Sequence, residues 1–152
     1  MKFAFVLPFL FLFQTSTPTT PQSCLSYEVP VSLNGIIKRH TFPGPPNYES
    51  VKKGDEPEQV WVLHLSSPIC VSASSDGDAQ SDISDLQLVL VEGQKQYARY
   101  RSLLGTRVEV TGKLFQAETG HHHTKVLLTV NGIKRQPTQP GCGLLASRSL
   151  LR

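Results

Sequence analysis

Residues 86–115 read LQLVLVEGQKQYARYRSLLGTRVEVTGKLF, and the period of their apolar side chains changes twice along the stretch. Every second residue of Leu86–Leu90 is leucine, which is typical of a β-strand. Tyr97, Tyr100 and Leu104 then recur at i, i+3 and i+7 and are followed by glycine, as in a short amphipathic helix. The last ten residues return to alternation. The stretch therefore predicts a strand, a helix and a second strand.

Three further runs with strand-like patterns flank this stretch: residues 28–38, 59–71 and 125–131. The order of three strands, a helix and two strands is that of the OB-fold, a five-stranded Greek-key barrel. Gly35 and Gly112 lie inside strands, where glycine allows the sharp bending that a small barrel needs. We therefore expect an all-β fold with one short helix, a small OB-like five-stranded barrel. Another small barrel, or an α+β sandwich with a covering helix, is the alternative.

Residues 1–23 are predicted to be a secretory signal peptide. Lys2 supplies a positive start, and the apolar run Phe3–Phe13 is too short to cross a bilayer as a helix. A lipoprotein signal ending at Cys24 is less favoured, because Pro21-Gln22-Ser23 lacks the usual aliphatic residue. The segment predicts export to the periplasm or the medium, and no transmembrane span.

Residues 24–133 have the usual size of one domain, and they carry a formal charge of −2 (10 Lys and Arg, 12 Asp and Glu). The net charge of +3 for the whole chain therefore comes from its ends, and nucleic acid is not an expected partner. Residues 72–85, rich in Ser, Asp and Gly, are predicted to be a flexible loop. Residues 134–152, which include Cys142, are predicted to be a disordered tail, with that cysteine a free or intermolecular thiol.

Cys24 and Cys70 are predicted to form a disulfide. If the run that starts near Glu28 pairs antiparallel with the run that ends near Val71, the turn lies near residue 47 and the two cysteines meet at the open ends. Such a bridge would contribute roughly 3–4 kcal/mol in the chain-entropy model, and export makes it chemically permissible.

Two unusual loops interrupt the predicted strands. Residues 41–50 read TFPGPPNYES, and residues 120–124 read GHHHT. The loops between strands one and two and between strands four and five flank the ligand-binding face of OB-folds, so both should lie on one rim. The predicted ligand-binding residues are Phe42, Asn47, Tyr48, Glu49, His121, His122, His123 and Thr124.

The rim suggests two kinds of binding. His121 and His123 would point to one side of an extended backbone and bind zinc, copper or nickel, completed by Glu49, Glu118 or His64. Alternatively, aromatic rings and hydrogen-bonding groups would bind a small molecule, a cell-wall glycan or a protein. The alternative without a ligand is a solvated polar turn, or a loop that one histidine holds by a hydrogen bond.

Catalysis is not favoured. The sequence contains no nucleophile elbow, HExxH or phosphate-binding loop, and a hydrolase using His and Glu as acid and base is the least supported alternative. His40 and His64 stand alone on strands and are interpreted as surface or core residues. The mixed-charge stretch Lys52–Glu58 is interpreted as a solvated loop.

Residues 42–51 (FPGPPNYESV), 100–105 (YRSLLG) and 120–124 (GHHHT) are similar to short exported bacterial proteins that carry domain of unknown function 4431. The resemblance covers roughly Cys24 to Val130. Since that family is functionally uncharacterised, the resemblance implies an exported bacterial protein and no particular activity.

Overall fold

A computed structural model describes residues 23–137 of the chain. It has five strands and one α-helix: β1 (Pro30–Pro43), β2 (Pro57–Val71), β3 (Gln80–Val89), α1 (Gln94–Tyr100), β4 (Arg107–Gln116) and β5 (Val126–Arg135). Single 3₁₀ turns lie at Val51–Lys53 and Arg101–Leu103. The strands close a barrel in the order β1-β2-β3-β5-β4, antiparallel except for β3 with β5. The predicted OB-like barrel with one short helix is confirmed.

The core lies inside the barrel and follows the alternation read from the sequence. α1 covers it, because Tyr97 packs edge-on against Trp61 with ring centroids 5.0 Å apart, and Tyr100 also packs on the core. The buried core residues are Tyr27, Leu33, Ile37, Trp61, Leu63, Val71, Ile83, Leu86, Leu88, Leu90, Val108, Val110, Leu114, Val126, Leu128, Val130 and Ile133.

Two glycines allow neighbouring strands to approach closely where the barrel bends. A Cβ on Gly35 would lie 2.2 Å from the carbonyl oxygen of His64, and one on Gly112 would lie 2.0 Å from that of Thr129. Gly35 pairs with both β2 and β4, so it stands where β1 changes partner. The bending predicted at these two positions is therefore possible because glycine has no side chain.

The register of β1 and β2 corrects the predicted turn. Gly35 faces Leu65 and Pro43 faces Pro57, so the pair is symmetric about residue 50, not about a point near residue 47. Phe42, which was predicted to lie in the loop, belongs to β1, because the ladder continues to its last residue.

The disulfide between Cys24 and Cys70 is confirmed, although the chain reaches it differently. Before Gly35, β1 pairs with β4 and not with β2, so the segment that precedes β1 reaches β2 outside this ladder. Leu25 then forms a parallel bridge with Val71 instead of extending the antiparallel pair. The bond indicates an oxidising compartment.

β3 begins at Gln80, although the sequence predicted a strand only from Leu86 and a loop over residues 72–85. Ile83 is the one buried residue between these points, and it faces Ile69 of β2. The ladder is irregular here and most side chains are exposed and polar, so the alternation that marks a strand is missing.

Two other predictions concern the ends of the chain. β5 continues to Arg135, two residues past the predicted domain boundary at 133. The signal peptide, apart from its last residue, and Cys142 lie outside the described residues. Within residues 23–137 no helix is long and apolar enough to cross a membrane.

Candidate functional site

The loop between β1 and β2 (residues 44–56, the β1–β2 loop) meets residues 120–124 (the histidine loop). The hydroxyl of Tyr48 lies 3.2 Å from Nε2 of His121, and the two rings meet edge-on with centroids 5.4 Å apart. A Cβ on Gly120 would lie 2.9 Å from the Tyr48 ring, so glycine is needed for this approach. The structure thus brings together two loops that are about seventy residues apart in sequence, as the 73-residue separation of the bonded pair shows.

Asp55 holds the β1–β2 loop in shape. Its buried carboxylate accepts hydrogen bonds from the backbone N–H groups of Ser50 (2.7 Å), Glu49 (2.8 Å) and Asn47 (3.0 Å), and from the Asn47 side chain (3.1 Å). The bond from Ser50 and then those from Glu49 and Asn47 keep the pKa of Asp55 below its ordinary value, against the opposing effect of burial. Tyr48, at the centre of this turn, has φ 60, a left-handed conformation that non-glycine residues rarely adopt. Asp55 therefore holds Tyr48 in place to reach His121.

Glu58 joins the histidine loop to β2. One carboxylate oxygen lies 2.5 Å from Nδ1 of His121 and the other lies 2.9 Å from Nε2 of His123. An ionised carboxylate only accepts hydrogen bonds, so both nitrogens carry the hydrogen, and a neutral His121 accepts the Tyr48 hydroxyl at Nε2. Burial would raise the pKa of Glu58, but the hydrogen bonds from His123 and His121, together with the positive charge of each imidazole when it is protonated, outweigh burial and lower the pKa. The cluster therefore favours an ionised Glu58.

Phe42 completes this cluster from β1, where it faces Glu58 across the ladder. Its ring stacks on that of His123 with centroids 4.5 Å apart and planes 5° from parallel. The side chain of His123 is only 8% exposed, whereas that of His121 is 60% exposed. His123 is therefore a packed, hydrogen-bonded residue, and His121 is the histidine of the pair that a ligand can reach.

Gln87 fixes the backbone of the histidine loop to β3. Its buried amide donates to the carbonyl of His121 (2.9 Å) and accepts from the N–H of His123 (2.7 Å). The hydroxyl of Thr124 accepts from the N–H of Gln87 (2.9 Å) and donates to the carbonyl of Val126 (2.7 Å). These bonds set the direction of both rings that reach Glu58.

The eight predicted ligand-binding residues divide into three sets. Asn47, His122 and Thr124 are engaged in hydrogen bonds within the loops; Nδ1 of His122 accepts the N–H of Glu118 at 2.8 Å. Glu49 is exposed. The other four form one contiguous surface with Glu58, which we call the rim: Phe42, Tyr48, Glu58, His121 and His123.

Sequence reasoning missed the three residues that organise the rim. Asp55 and Glu58 lie in the stretch interpreted as a solvated loop, yet Asp55 is 4% exposed and Glu58 is largely covered. Gln87 lies between two core leucines, so alternation alone assigns its side chain to the solvent-facing side of the strand. Its position beside those leucines indicates a strand next to the core, but no sequence pattern indicates that Gln87 bonds to the histidine loop.

A groove of about 360 Å³ lies beside the histidine loop. It runs between residues 81–85 of β3 and residues 123–126, and exists because β3 pairs with β5 only at Gln87–Val89. Asp82, Asp85 and Lys125 are the charged residues of its lining. A second recess of about 320 Å³, lined by Trp61 and residues of α1, shares no residue with either loop. The groove next to the rim is thus the better placed recess for a ligand.

The predicted metal role of His121 and His123 meets a geometric obstacle. Each nitrogen that faces Glu58 is bonded to a different oxygen, so the two do not converge on one point. Across residues 23–137, no group of three or more His, Cys, Asp or Glu side chains is arranged to hold a metal ion. A metal at this pair requires Glu58 to turn, and the role stays a prediction.

Comparison with known proteins gives a family for this site. A search of the curated proteins returned no match. One family model, described as a domain of unknown function (DUF4431), matches residues 85–134, from the last part of β3 through α1, β4 and the histidine loop into β5. The match contains Gln87, His121 and His123 and leaves the β1–β2 loop outside. The predicted family is confirmed over this span: residues 85–134 match the DUF4431 family of domains of unknown function.

Proposed function

We propose that this protein is an exported, non-enzymatic binding module that recognises its ligand at the rim. The observation that carries the proposal is the joining of two loops through Tyr48, His121 and Glu58. A surface held by hydrogen bonds before the ligand arrives loses less conformational entropy on binding. Such order is what a recognition surface needs.

Export is supported by two features of the chain. The disulfide between Cys24 and Cys70 fits the periplasm or the medium, since both are oxidising. The apolar segment Phe3–Phe13 after Lys2 has the composition of a signal peptide.

The chemistry of the rim favours a polar, uncharged polymer such as a cell-wall glycan. Tyr48, 36% exposed, offers an aromatic face, and the exposed ring of His121 meets it edge-on and extends this surface. OB-folds bind oligosaccharides and oligonucleotides between the corresponding loops. Glu58 and Asp85 near this surface oppose the phosphates of a nucleic acid, so the sugar polymer is the better match.

The test is retention of the tag-free, oxidised protein on purified insoluble cell-wall glycan. We expect Tyr48→Ala and His121→Ala to reduce the retained fraction at least tenfold, because each removes one of the two most exposed side chains of the rim. Val91→Ala, at a 67% exposed apolar side chain beside α1, is the control and should bind as the parent does. Equal retention of all four proteins would remove the rim from glycan binding. A small molecule or protein found instead by mass spectrometry of the co-purified material would replace the glycan as ligand.

Tyr48→Phe separates the two roles of this side chain. It keeps the aromatic face and removes the hydroxyl that contacts His121. Retention close to the parent would show that the ring itself contacts the ligand. A loss equal to that of Tyr48→Ala would assign the effect to the joining of the loops.

Transition-metal binding at His121 and His123 is the second candidate, favoured by the Glu58 carboxylate that both imidazoles contact. Two imidazoles and a carboxylate are ligands suited to zinc, copper or nickel. Calorimetric titration of the tag-free protein with each ion tests it. Heat that disappears in the His121→Ala, His123→Ala double variant would support this candidate.

A further inference from the structure

A second histidine pair lies on the outer face of the barrel. His40 on β1 and His64 on β2 have their Nε2 atoms 3.0 Å apart, with ring centroids separated by 5.1 Å. Nδ1 of His64 contacts the carboxylate of Asp85, which faces it across the β2–β3 ladder. The two histidines were predicted to stand alone on their strands, so only the folded structure shows that they form a cluster.

Asp85 determines how the pair shares its hydrogens. A carboxylate that accepts a hydrogen bond requires the hydrogen of His64 to be on Nδ1, which leaves a lone pair on Nε2. In the neutral pair, His40 then donates from Nε2 into that lone pair. If the hydrogen of His40 moves to Nδ1, both Nε2 lone pairs point into the space between the rings.

We propose that His40 and His64 are the two protein ligands of a divalent transition-metal site, with Asp85 as the residue that positions His64. Zinc–imidazole bonds of about 2.0–2.1 Å at a tetrahedral angle place two nitrogens about 3.3 Å apart. The observed 3.0 Å requires the rings to separate by only a few tenths of an ångström. A carboxylate that accepts from the other nitrogen is the usual outer partner of a metal-bound histidine.

The site is accessible and open. The side chains of His64 and Asp85 are 31% and 48% exposed, so an ion and its water can reach the pair. With two protein ligands, the remaining positions belong to water or to a donor from a bound molecule. Imidazole suits copper, nickel and zinc, and the general order of stability makes Cu²⁺ the tightest of the three.

This pair differs from His121 and His123 in one decisive respect. Its two nitrogens face each other, whereas those of the histidine loop face separate oxygens of Glu58. Phe42 stands between the two pairs: its ring stacks on His123 at 4.5 Å and on His40 at 6.0 Å. The metal site therefore borders the rim without sharing a residue with it.

The test is calorimetry of the tag-free, oxidised protein with Cu²⁺ and Zn²⁺ alone, accompanied by electron paramagnetic resonance of the Cu²⁺ complex. We expect one ion per chain and a spectrum with two nitrogen ligands. His40→Ala and His64→Ala should each weaken binding at least tenfold, and Asp85→Asn should weaken it about 10- to 100-fold, as for other outer partners of metal ligands. Melting temperatures without metal show whether each variant is folded.

Val91→Ala, at an exposed side chain outside both histidine pairs, is the control and should bind the ions as the parent does. The His121→Ala, His123→Ala double variant distinguishes this site from the histidine loop. Absence of binding to the parent protein would overturn the proposal, and this result needs no variant to fold. Binding that survives in His64→Ala but is lost in the double variant would also overturn it and move the metal to the histidine loop. Glycan retention measured with a chelator present keeps the two proposals separate, because the rim should bind without metal.

Discussion

Replacement of Gln87 by methionine tests whether this one buried amide holds the histidine loop. Methionine is unbranched and similar in length, so it keeps the volume of the site and removes both hydrogen bonds to the loop backbone. The carbonyl of His121 and the N–H of His123 then lose their partner. The loop should become mobile while the barrel stays folded.

The magnitude follows from what replaces the two bonds. An intramolecular hydrogen bond contributes about 0.5–1.5 kcal/mol net, and a buried group left without a partner costs about 1–3 kcal/mol. The side chain of His121 is exposed and that of His123 is largely covered, so we expect water to replace the bond at His121 more readily than the bond at His123. We therefore expect Gln87→Met to lower the free energy of unfolding by about 2 kcal/mol, which is a shift of about 1 M in the urea midpoint.

The assay is urea unfolding followed by the fluorescence of the single tryptophan, together with amide hydrogen exchange of residues 119–125. Gln96→Met is the matched control. Gln96 is also buried and bonds the carbonyl of Val130 at 3.0 Å and the N–H of Glu92 at 3.2 Å, but contacts neither loop. It should lower stability by a similar amount and leave exchange in the histidine loop unchanged.

Two results would refute the reasoning. Exchange in the histidine loop that is equally slow in Gln87→Met and in the parent would show that other contacts, such as those of Glu58, suffice. Equal acceleration in Gln87→Met and Gln96→Met would show that the loop merely follows global stability.

Three further predictions concern stability. Reduction of the Cys24–Cys70 bond, which spans 46 residues, should cost about 4 kcal/mol, measured as urea unfolding with and without reductant. Because the pKa of Asp55 is lowered in the folded state, its stabilising effect should be complete above about pH 4 and lost as the pH falls through the folded pKa. Asp55→Asn should therefore flatten this part of a plot of melting temperature against pH. A plot that stays as steep as that of the parent would contradict this. Gly112→Ala should lower the free energy of unfolding by about 1–3 kcal/mol, because the new Cβ overpacks against the backbone of β5. Gly132→Ala should lower it clearly less, since its Cβ would meet only a hydroxyl at 3.3 Å. Equal unfolding midpoints of the two variants would contradict the close approach of the strands at Gly112.

The fold could be predicted because its signals are local. Alternation marks most strands, the change of period marks α1, and the order of elements leaves few topologies. The start of β3 was missed because residues 80–85 pair irregularly and expose polar side chains, which removes the pattern that sequence reasoning uses. The turn near residue 47 was misplaced because Cys24 and Cys70 do not belong to one ladder: β1 changes its partner at Gly35.

The candidate site could be predicted only as far as its loops. The Pro/Gly-rich and histidine segments are visible because their composition is unusual, whereas Glu58 and Asp55 belong to a stretch of ordinary charged residues. The role of Glu58 depends on partners that lie 63 and 65 residues away in the sequence. The role of Asp55 depends on a compact turn of the chain. The pairing of His40 with His64 depends on the register and twist of two strands, which no local pattern encodes.

One row of side chains explains why the rim is ordered. Val62, Gln87 and Leu127 face one another across β2, β3 and β5 and alternate with core residues, so they point out of the barrel. They are nevertheless only 2%, 6% and 0% exposed. The histidine loop bonds directly to the middle member of this row, so it is fixed to a buried part of the outer face and not to a solvated one. A mobile loop would expose that surface, which costs free energy in proportion to its area. The packing of this outer face therefore helps to hold His121 beside Tyr48, and the order of the rim is coupled to it.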